Sequence, residues 1–273
     1  MSATTYLFVP GNRPERFAKA MAAGADRIIV DLEDAVAPQD KAHARAAVRT
    51  WMLSLDAAQR ATVLVRINDA LSAWFADDLQ LLSSAQAVGV MLSKCEHKDQ
   101  IEQARKALLA HGLVTPLVET AKGVLNLPAI AAAPGVDRIA FGSLDYMLDL
   151  DLPGDGLAVD LAATQIAMAS RAAGLPSPVA GVTPAMDAAR VAADMLHYRA
   201  LGYGAKMCIH PMQVTAVLAA LAPGETELAW ARRVMAAWAQ GNGSGSIQLD
   251  GKMVDKPVVL KAQRTLALSN PSR

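Results

Sequence analysis

Chemistry in this chain is suggested first by carboxylates. Glu119 closes the apolar run Val114–Val118, and Asp145 follows Arg138–Phe141 by a few residues, so two acids stand just past consecutive apolar segments. If those segments are neighbouring strands, the two carboxylates can converge on one point. Oxygen-only ligands select a hard cation, and two carboxylates completed by water and substrate oxygens suit Mg²⁺, with Mn²⁺ as a substitute. Pairing of either acid with a nearby Arg or Lys is the alternative.

Asp31, Glu33 and Asp34, in VDLEDAV, form a second acidic group whose mutual repulsion needs a cation or hydrogen-bond donors to offset it. They could hold a metal's water ligands, or they could cap a helix starting near Pro38. Arg66 ends the apolar run TVLVR, a costly place for a guanidinium unless it serves a carboxylate or a developing oxyanion. Asn12, Arg13, Arg16 and Lys19 fall in PGNRPERFAK, which reads equally as a solvated helix start or as a phosphate clamp. Asn68, Lys94 and His210 complete the polar residues that lie just past apolar runs.

The elements that must position these residues repeat along the chain. Eight short apolar segments, Tyr6–Val9, Arg27–Asp31, Thr62–Arg66, Val88–Leu92, Val114–Val118, Arg138–Phe141, Pro178–Ala180 and Lys206–Ile209, alternate with stretches of helical periodicity such as Pro14–Ala23, Lys41–Leu53, Asp99–Ala110 and Ala185–Leu201. Most are apolar throughout, as strands buried on both faces of a parallel sheet must be. Eight such βα units predict an α/β fold, a (β/α)8 TIM barrel, whose active site gathers residues from the C-terminal ends of the strands. The helix Glu225–Ala239 closes a barrel domain of residues 1–240. The stretch GNGSGS over 241–246 then reads as a flexible connector to a tail, residues 241–273, with a hairpin at the Asp250-Gly251 turn and a helix from Pro257 to about Leu268. A tail so short has no core of its own and should lean on the barrel or on a neighbouring subunit.

Composition narrows the class. The sequence is 53% hydrophobic but only 4% aromatic, enough aliphatic surface for a core without disulfides, and Lys plus Arg and Asp plus Glu are both 26. A balanced charge argues against nucleic acid and anionic membranes as partners, so an anionic ligand must be caught by a local basic cluster. Cys95 and Cys208 lie in apolar runs without metal-ligand spacing and read as buried thiols of a reducing compartment. No signal-peptide pattern and no apolar run of 18 residues occurs, so a soluble, cytoplasmic protein is expected.

The segments LFVPGNRPERF, VDLEDAV, VRIN, PLVETAKGVLN, RIAFGSLDYMLDL, GAKMCIHP and GKMVDKP, in that order, resemble the signature segments of the citrate lyase β-subunit, malyl-CoA and citramalyl-CoA lyase family within the HpcH/HpaI aldolases. The resemblance implies a Mg²⁺-dependent carbon–carbon lyase acting on a β-hydroxyacyl-CoA thioester. It makes Glu119 and Asp145 the metal ligands and sets Glu33 and Asp34 around the metal's waters. Arg66 would orient substrate and stabilise a thioester enolate, and Asp255 of GKMVD would be an acid/base residue delivered by the tail, usually into a neighbouring subunit. With CoA as part of the substrate, a pantetheine arm reaching inward would leave its phosphates wet near Asn12, Arg13, Arg16 and Lys19, and the flexible connector together with the resemblance of GKMVD implies a homo-oligomer, a trimer or a dimer of trimers. From spacing alone Asp255 reads only as a cap before Pro257.

The sequence departs from the family pattern in three places. Ser143-Leu144 precede Asp145 where an acidic residue is usual, LSKC replaces an LPK segment, and Ala180-Gly181-Val182 replaces a DGV segment. Substrate identity is what these changes put in question. A class II pyruvate-type aldolase without CoA and a non-catalytic subunit of a citrate lyase complex are the competing readings.

Overall fold

The computed structural model describes residues 3–110, 112–240 and 245–269. Eight parallel strands close into a barrel in sequence order, β1 Thr5–Pro10, β2 Arg27–Asp31, β3 Val63–Ile67, β4 Gly89–Leu92, β5 Leu113–Val118, β6 Ala140–Phe141, β7 Val179–Ala180 and β8 Ala205–Cys208, with β8 pairing back onto β1. Each falls on one of the eight apolar segments expected from the sequence. β6 and β7 shrink to two residues each.

Period-two alternation sorts the strand residues. Tyr6, Ile29, Leu64, Met91, Leu117, Ala140, Val179, Ala205 and Met207 pack together as one cluster inside the barrel, at least one from every strand. The residue two places on from such a position also faces inward, one layer nearer the C-terminal mouth. Asp31 stands two after Ile29, Arg66 two after Leu64, and Glu119 two after Leu117. Inward placement of three charged groups therefore follows from the same pleat that fills the core.

Outside the barrel the helices bury one stripe each. In Lys41–Ser54 the stripe is Ala44, Val48 and Met52, spaced four residues apart, with the buried Lys41 at its head. The helix expected over 14–23 divides instead into a 3-10 turn, Pro14–Arg16, and a five-residue helix, Phe17–Met21.

The chain separates into two compact units, Ser2–Ala220 and a second that begins at Leu221. The division expected at 240/241 thus lies about one helix earlier. Glu225–Gln240 packs on the C-terminal helix Lys256–Ser269, and a hairpin of β9 Ser246–Leu249 and β10 Lys252–Asp255 joins them. Ala231, Val234, Val254, Val259 and Ala262 form a small core there, so the tail, which alone would have none, acquires one by taking the preceding helix. Asp250 and Gly251 turn the hairpin in left-handed backbone conformations, φ +50° and +74°. Residues 241–244 of the expected connector lie outside the described residues.

Candidate active site

A cavity of about 410 Å³ opens at the barrel mouth, lined by Asp31, Asp34, Arg66, Glu119 and Asp145 together with apolar side chains that include Phe8, Leu117, Val182 and Met207. Asp31 and Arg66 are register partners on β2 and β3. Their side chains meet as a fork, Arg66 Nε donating to Asp31 Oδ1 at 2.7 Å and Nη2 to Oδ2 at 2.6 Å. The remaining Nη1 lies 2.7 Å from Glu33 Oε2, at an angle that makes an ion pair without a hydrogen bond. Burial works against the Arg66 cation, but Asp31, Glu33 and Glu119 more than offset it, and its pKa rises. The pairing alternative for Arg66 is therefore realised, and the guanidinium still lines the cavity.

Asp31 also accepts the backbone N–H of Glu33 and of Ala35, at 2.9 and 3.2 Å, and so shapes the loop that carries Glu33 and Asp34. None of the acidic trio caps the turn at Pro38, where Ala37 is the cap residue. Glu33 is buried, whereas Asp34 is exposed and reaches Arg66 only at 3.8 Å. Beneath this loop the buried Lys41 ammonium donates to Leu32 O, Glu33 O and Asn68 Oδ1 at 2.8, 3.0 and 2.7 Å. Asn68 is held in turn by the buried Asp78, which accepts both its backbone N–H and its Nδ2.

Glu119, 1% exposed, is the most deeply buried acid lining the cavity. Its Oε1 accepts the Lys94 backbone N–H at 2.8 Å, and its Oε2 fills the space a side chain at Gly142 would need, since a Cβ there would come within 2.2 Å. Burial first, then the charges of Glu33 and Asp145, push its pKa well above the ordinary carboxylate value. Asp145, in the first turn of the helix Ser143–Asp149, is partly exposed. Lys94 bridges the acids. Its Nζ is 2.8 Å from Glu33 Oε1 and 3.8 Å from Asp145 Oδ1, and its backbone takes φ +46°, a left-handed conformation costing roughly 1–3 kcal/mol in a non-glycine residue. That conformation lets one residue address Glu119 with its N–H and Glu33 with its ammonium. Burial opposes the Lys94 charge, and the bond to Glu33 with the fields of Glu33, Glu119 and Asp145 raises its pKa nonetheless.

Of the remaining expected site residues in the barrel unit, none lines this cavity. Arg13 pairs with Glu15 at 2.7 Å and Arg16 approaches the same oxygen at 3.9 Å, both exposed, and neither they nor Asn12 and Lys19 line the mouth cavity. Asp255, in the second unit, ends β10 and accepts the Val258 N–H at 3.3 Å, the cap expected before Pro257. His210 is exposed and accepts the Met212 N–H. Cys95 and Cys208 are free and buried, and burial pushes each thiol up to about 12.

Carboxylates outnumber cations around this cavity, and the deepest of them is the one whose charge is most disfavoured. A hard cation relieves that imbalance. Among the described residues no group of three or more His, Cys, Asp or Glu forms a ready metal cage, so Glu119 and Asp145 would leave most coordination positions to water and substrate.

A family model described as HpcH/HpaI aldolase/citrate lyase matches residues 4–211, a span that holds every residue of this mouth. The chain belongs to that family. Within it, the chain is 36% identical to a citrate lyase subunit beta-like protein of Deinococcus radiodurans over 96% of this chain and 95% of the relative. It is 34% identical to the (3S)-malyl-CoA thioesterase of Cereibacter sphaeroides over 96% and 92%. Among solved structures, CitE of Mycobacterium tuberculosis in complex with magnesium, acetoacetate and coenzyme A superposes with a TM-score of 0.87 at 34% identity, covering 98% of both chains.

Lys94 was visible in the sequence only as a polar residue after an apolar run, and its bridging role was missed. The positive φ that makes the bridge has no signature in a Ser-Lys-Cys stretch. Gly142 was also missed, although a glycine directly after a two-residue strand is a signal of close backbone approach.

Proposed function

We propose that this protein is a Mg²⁺-dependent lyase that cleaves, or in reverse forms, the Cα–Cβ bond of a β-hydroxyacyl-CoA thioester such as malyl-CoA, citramalyl-CoA or a citryl thioester. The observation that carries the reading is the buried Glu119, crowded by Glu33 and Asp145 and set across one cavity from Arg66. Support comes also from the similarity to CitE, whose complex holds magnesium, acetoacetate and coenzyme A.

Glu119 and Asp145 are the residues that would hold Mg²⁺ or Mn²⁺. Bound there, the cation supplies Lewis acidity for negative charge developing on the substrate. Lys94 fixes Glu119 through its N–H and Glu33 through its ammonium, keeping the acids apart before substrate arrives. In the cleavage direction the substrate hydroxyl loses its proton, its C–O becomes a carbonyl, and the electron pair of the Cα–Cβ bond passes to the thioester as an enolate. Arg66, oriented by its fork on Asp31, offers its charge to the enolate oxygen. In the bond-forming direction the apolar side chains of the cavity keep water from the enolate carbon, which water would protonate before it could attack the oxo acid.

A proton delivered to Cα completes the reaction, and Asp255 is the residue proposed to deliver it, from the tail of a neighbouring subunit in a homo-oligomer. Arg13, Arg16 and Lys19, with Asn12, are proposed to meet the CoA phosphates. Thioester hydrolysis is a second reading, favoured by the similarity to the malyl-CoA thioesterase. The experiment is an assay of the three thioesters with Mg²⁺ and with EDTA, wild type beside Arg66→Ala. The proposal expects an acyl-CoA and an oxo acid in equal amounts, only with the metal, and a large loss of kcat in the variant. Turnover unaffected by EDTA would overturn it.

A further inference from the structure

We propose that Lys206 is a positioning residue for the metal centre, holding the end of β7 against the start of the helix that carries Asp145. The inference rests on reading Asp145 as a metal ligand.

Lys206 lies on β8 between Ala205 and Met207, which point into the barrel, so its side chain points out toward the helix layer. The residue is 1% exposed, and it lines a second cavity whose polar groups include Asp155, Arg190 and Asp194. Among the described residues no carboxylate comes within 4 Å of its ammonium; instead Nζ donates to Gly181 O at 2.7 Å and lies 5.6 Å from the centre of the Tyr198 ring. Burial lowers its pKa to about 8. A Met or Leu would fill the same volume without the cost of burying a charge. What the ammonium adds is a hold on one carbonyl.

That carbonyl lies just past the last ladder pair of β7, Ala180 with Lys206, so the side chain continues the pairing that the backbone gives up. Gly181 in turn presses on the first residue of the helix Ser143–Asp149. A Cβ at 181 would come within 2.8 Å of Ser143 Oγ and 3.0 Å of Phe141 O. Tyr198 and Ser143 also line one cavity together. Lys206, Gly181 and Tyr198 thus gather around Ser143, the first residue of a helix whose third residue is Asp145.

The start of this helix is buried at Ser143 but borders open space on two sides. The second cavity, of about 550 Å³, lies beside the mouth cavity, and Ser143, Leu144 and Val182 line both. A helix start with open space on two sides can shift, and a carboxylate displaced by a fraction of an ångström loses metal affinity. Residues that orient metal ligands without touching the metal typically change affinity by about 10–100-fold when removed.

The test is a titration of the full chain with Mn²⁺, followed by the loss of the free-ion electron paramagnetic resonance signal, for wild type, Lys206→Met, Gly181→Ala and Asp145→Asn. The proposal expects Asp145→Asn to bind weakest, and Lys206→Met and Gly181→Ala each to raise the Mn²⁺ Kd by about ten-fold or more, with thermal midpoints above the assay temperature. Gly181→Ala leaves every charge in place and tests the contact between Gly181 and the helix start, and Lys206→Gln, which keeps a donor, tests the hold on the Gly181 carbonyl if Lys206→Met does not fold. Weak binding by Asp145→Asn, with the folded Lys206→Met or Gly181→Ala within about two-fold of wild type, overturns the positioning role alone. Normal binding by Asp145→Asn overturns the metal-ligand reading and the positioning role with it.

Discussion

Arg66 and Asp31, register partners on adjacent strands, are joined by two parallel hydrogen bonds of 2.7 and 2.6 Å inside the barrel mouth. The fork fixes the guanidinium plane and leaves Nη1 toward Glu33. Breaking a buried pair from one side so that a charge is left uncompensated costs about 3–5 kcal/mol. Asp31→Asn leaves Arg66 its ion pair with Glu33, so it should lower stability by less than that in urea denaturation and reduce kcat as Arg66 loses its orientation. Arg66→Lys cannot reproduce the fork and should lose kcat without matching gains in KM.

Glu119 makes the opposite prediction for stability. Its folded-state pKa is raised, so in the metal-free protein its ionisation opposes folding as pH rises from the ordinary carboxylate value through the raised one. Glu119→Gln removes that opposition. The metal-free variant should melt at or above the wild-type temperature near neutral pH while its Mg²⁺-dependent activity is lost. Gly142→Ala, whose Cβ would collide with Glu119 Oε2, should lose activity with Glu119 chemically intact. A Glu119→Gln protein that melts well below wild type would mean that the acid is structural.

Lys206 gives a pH dependence of defined sign. Below about pH 8 the folded and unfolded chains both keep its proton and the burial penalty is fully present. Between about 8 and the ordinary lysine value of 10.5 the folded chain sheds a proton that the unfolded chain keeps, so stability rises with pH. Asp194, Cys208, Asp155 and Arg190 set the field it feels, and Tyr198 faces it. Comparison with Lys206→Met cancels the other alkaline titrations. From pH 7.5 to 10.5 wild type should gain on the variant by at most about 3 kcal/mol, and a loss would contradict the assignment.

The barrel was legible because eight apolar segments at regular spacing admit few other folds, and the mouth acids were legible because they follow those segments. What the sequence hid is local. Arg66 could be read as facing a carboxylate or an oxyanion, but only register makes Asp31 its partner. Lys94 bridges two acids through a backbone conformation that a lysine rarely adopts. Lys206 reads as one polar residue within a short strand, and its role depends on β7 ending after two residues. The helix Glu225–Gln240 was correctly expected but placed with the barrel, because helical periodicity records that a face is buried and not which partner buries it.

Asp255 supplies a test of shared sites. Arg66→Ala and Asp255→Asn should each lose most activity, and hybrids formed by mixing them should recover part of it if Asp255 serves a neighbouring subunit. Subunit exchange demonstrated by mass, with no activity regained, would confine Asp255 to its cap at Val258.

The central claim is that the Cα–Cβ bond breaks and the thioester survives. Malyl-CoA labelled with carbon-13 at the thioester carbonyl, incubated with the protein and Mg²⁺ and followed by NMR, tests it most directly. The account predicts that the label stays in a thioester, as acetyl-CoA, while the unlabelled half appears as an oxo acid. Label appearing in the carboxylate of free malate, with CoA released and no oxo acid formed, would show hydrolysis and contradict it.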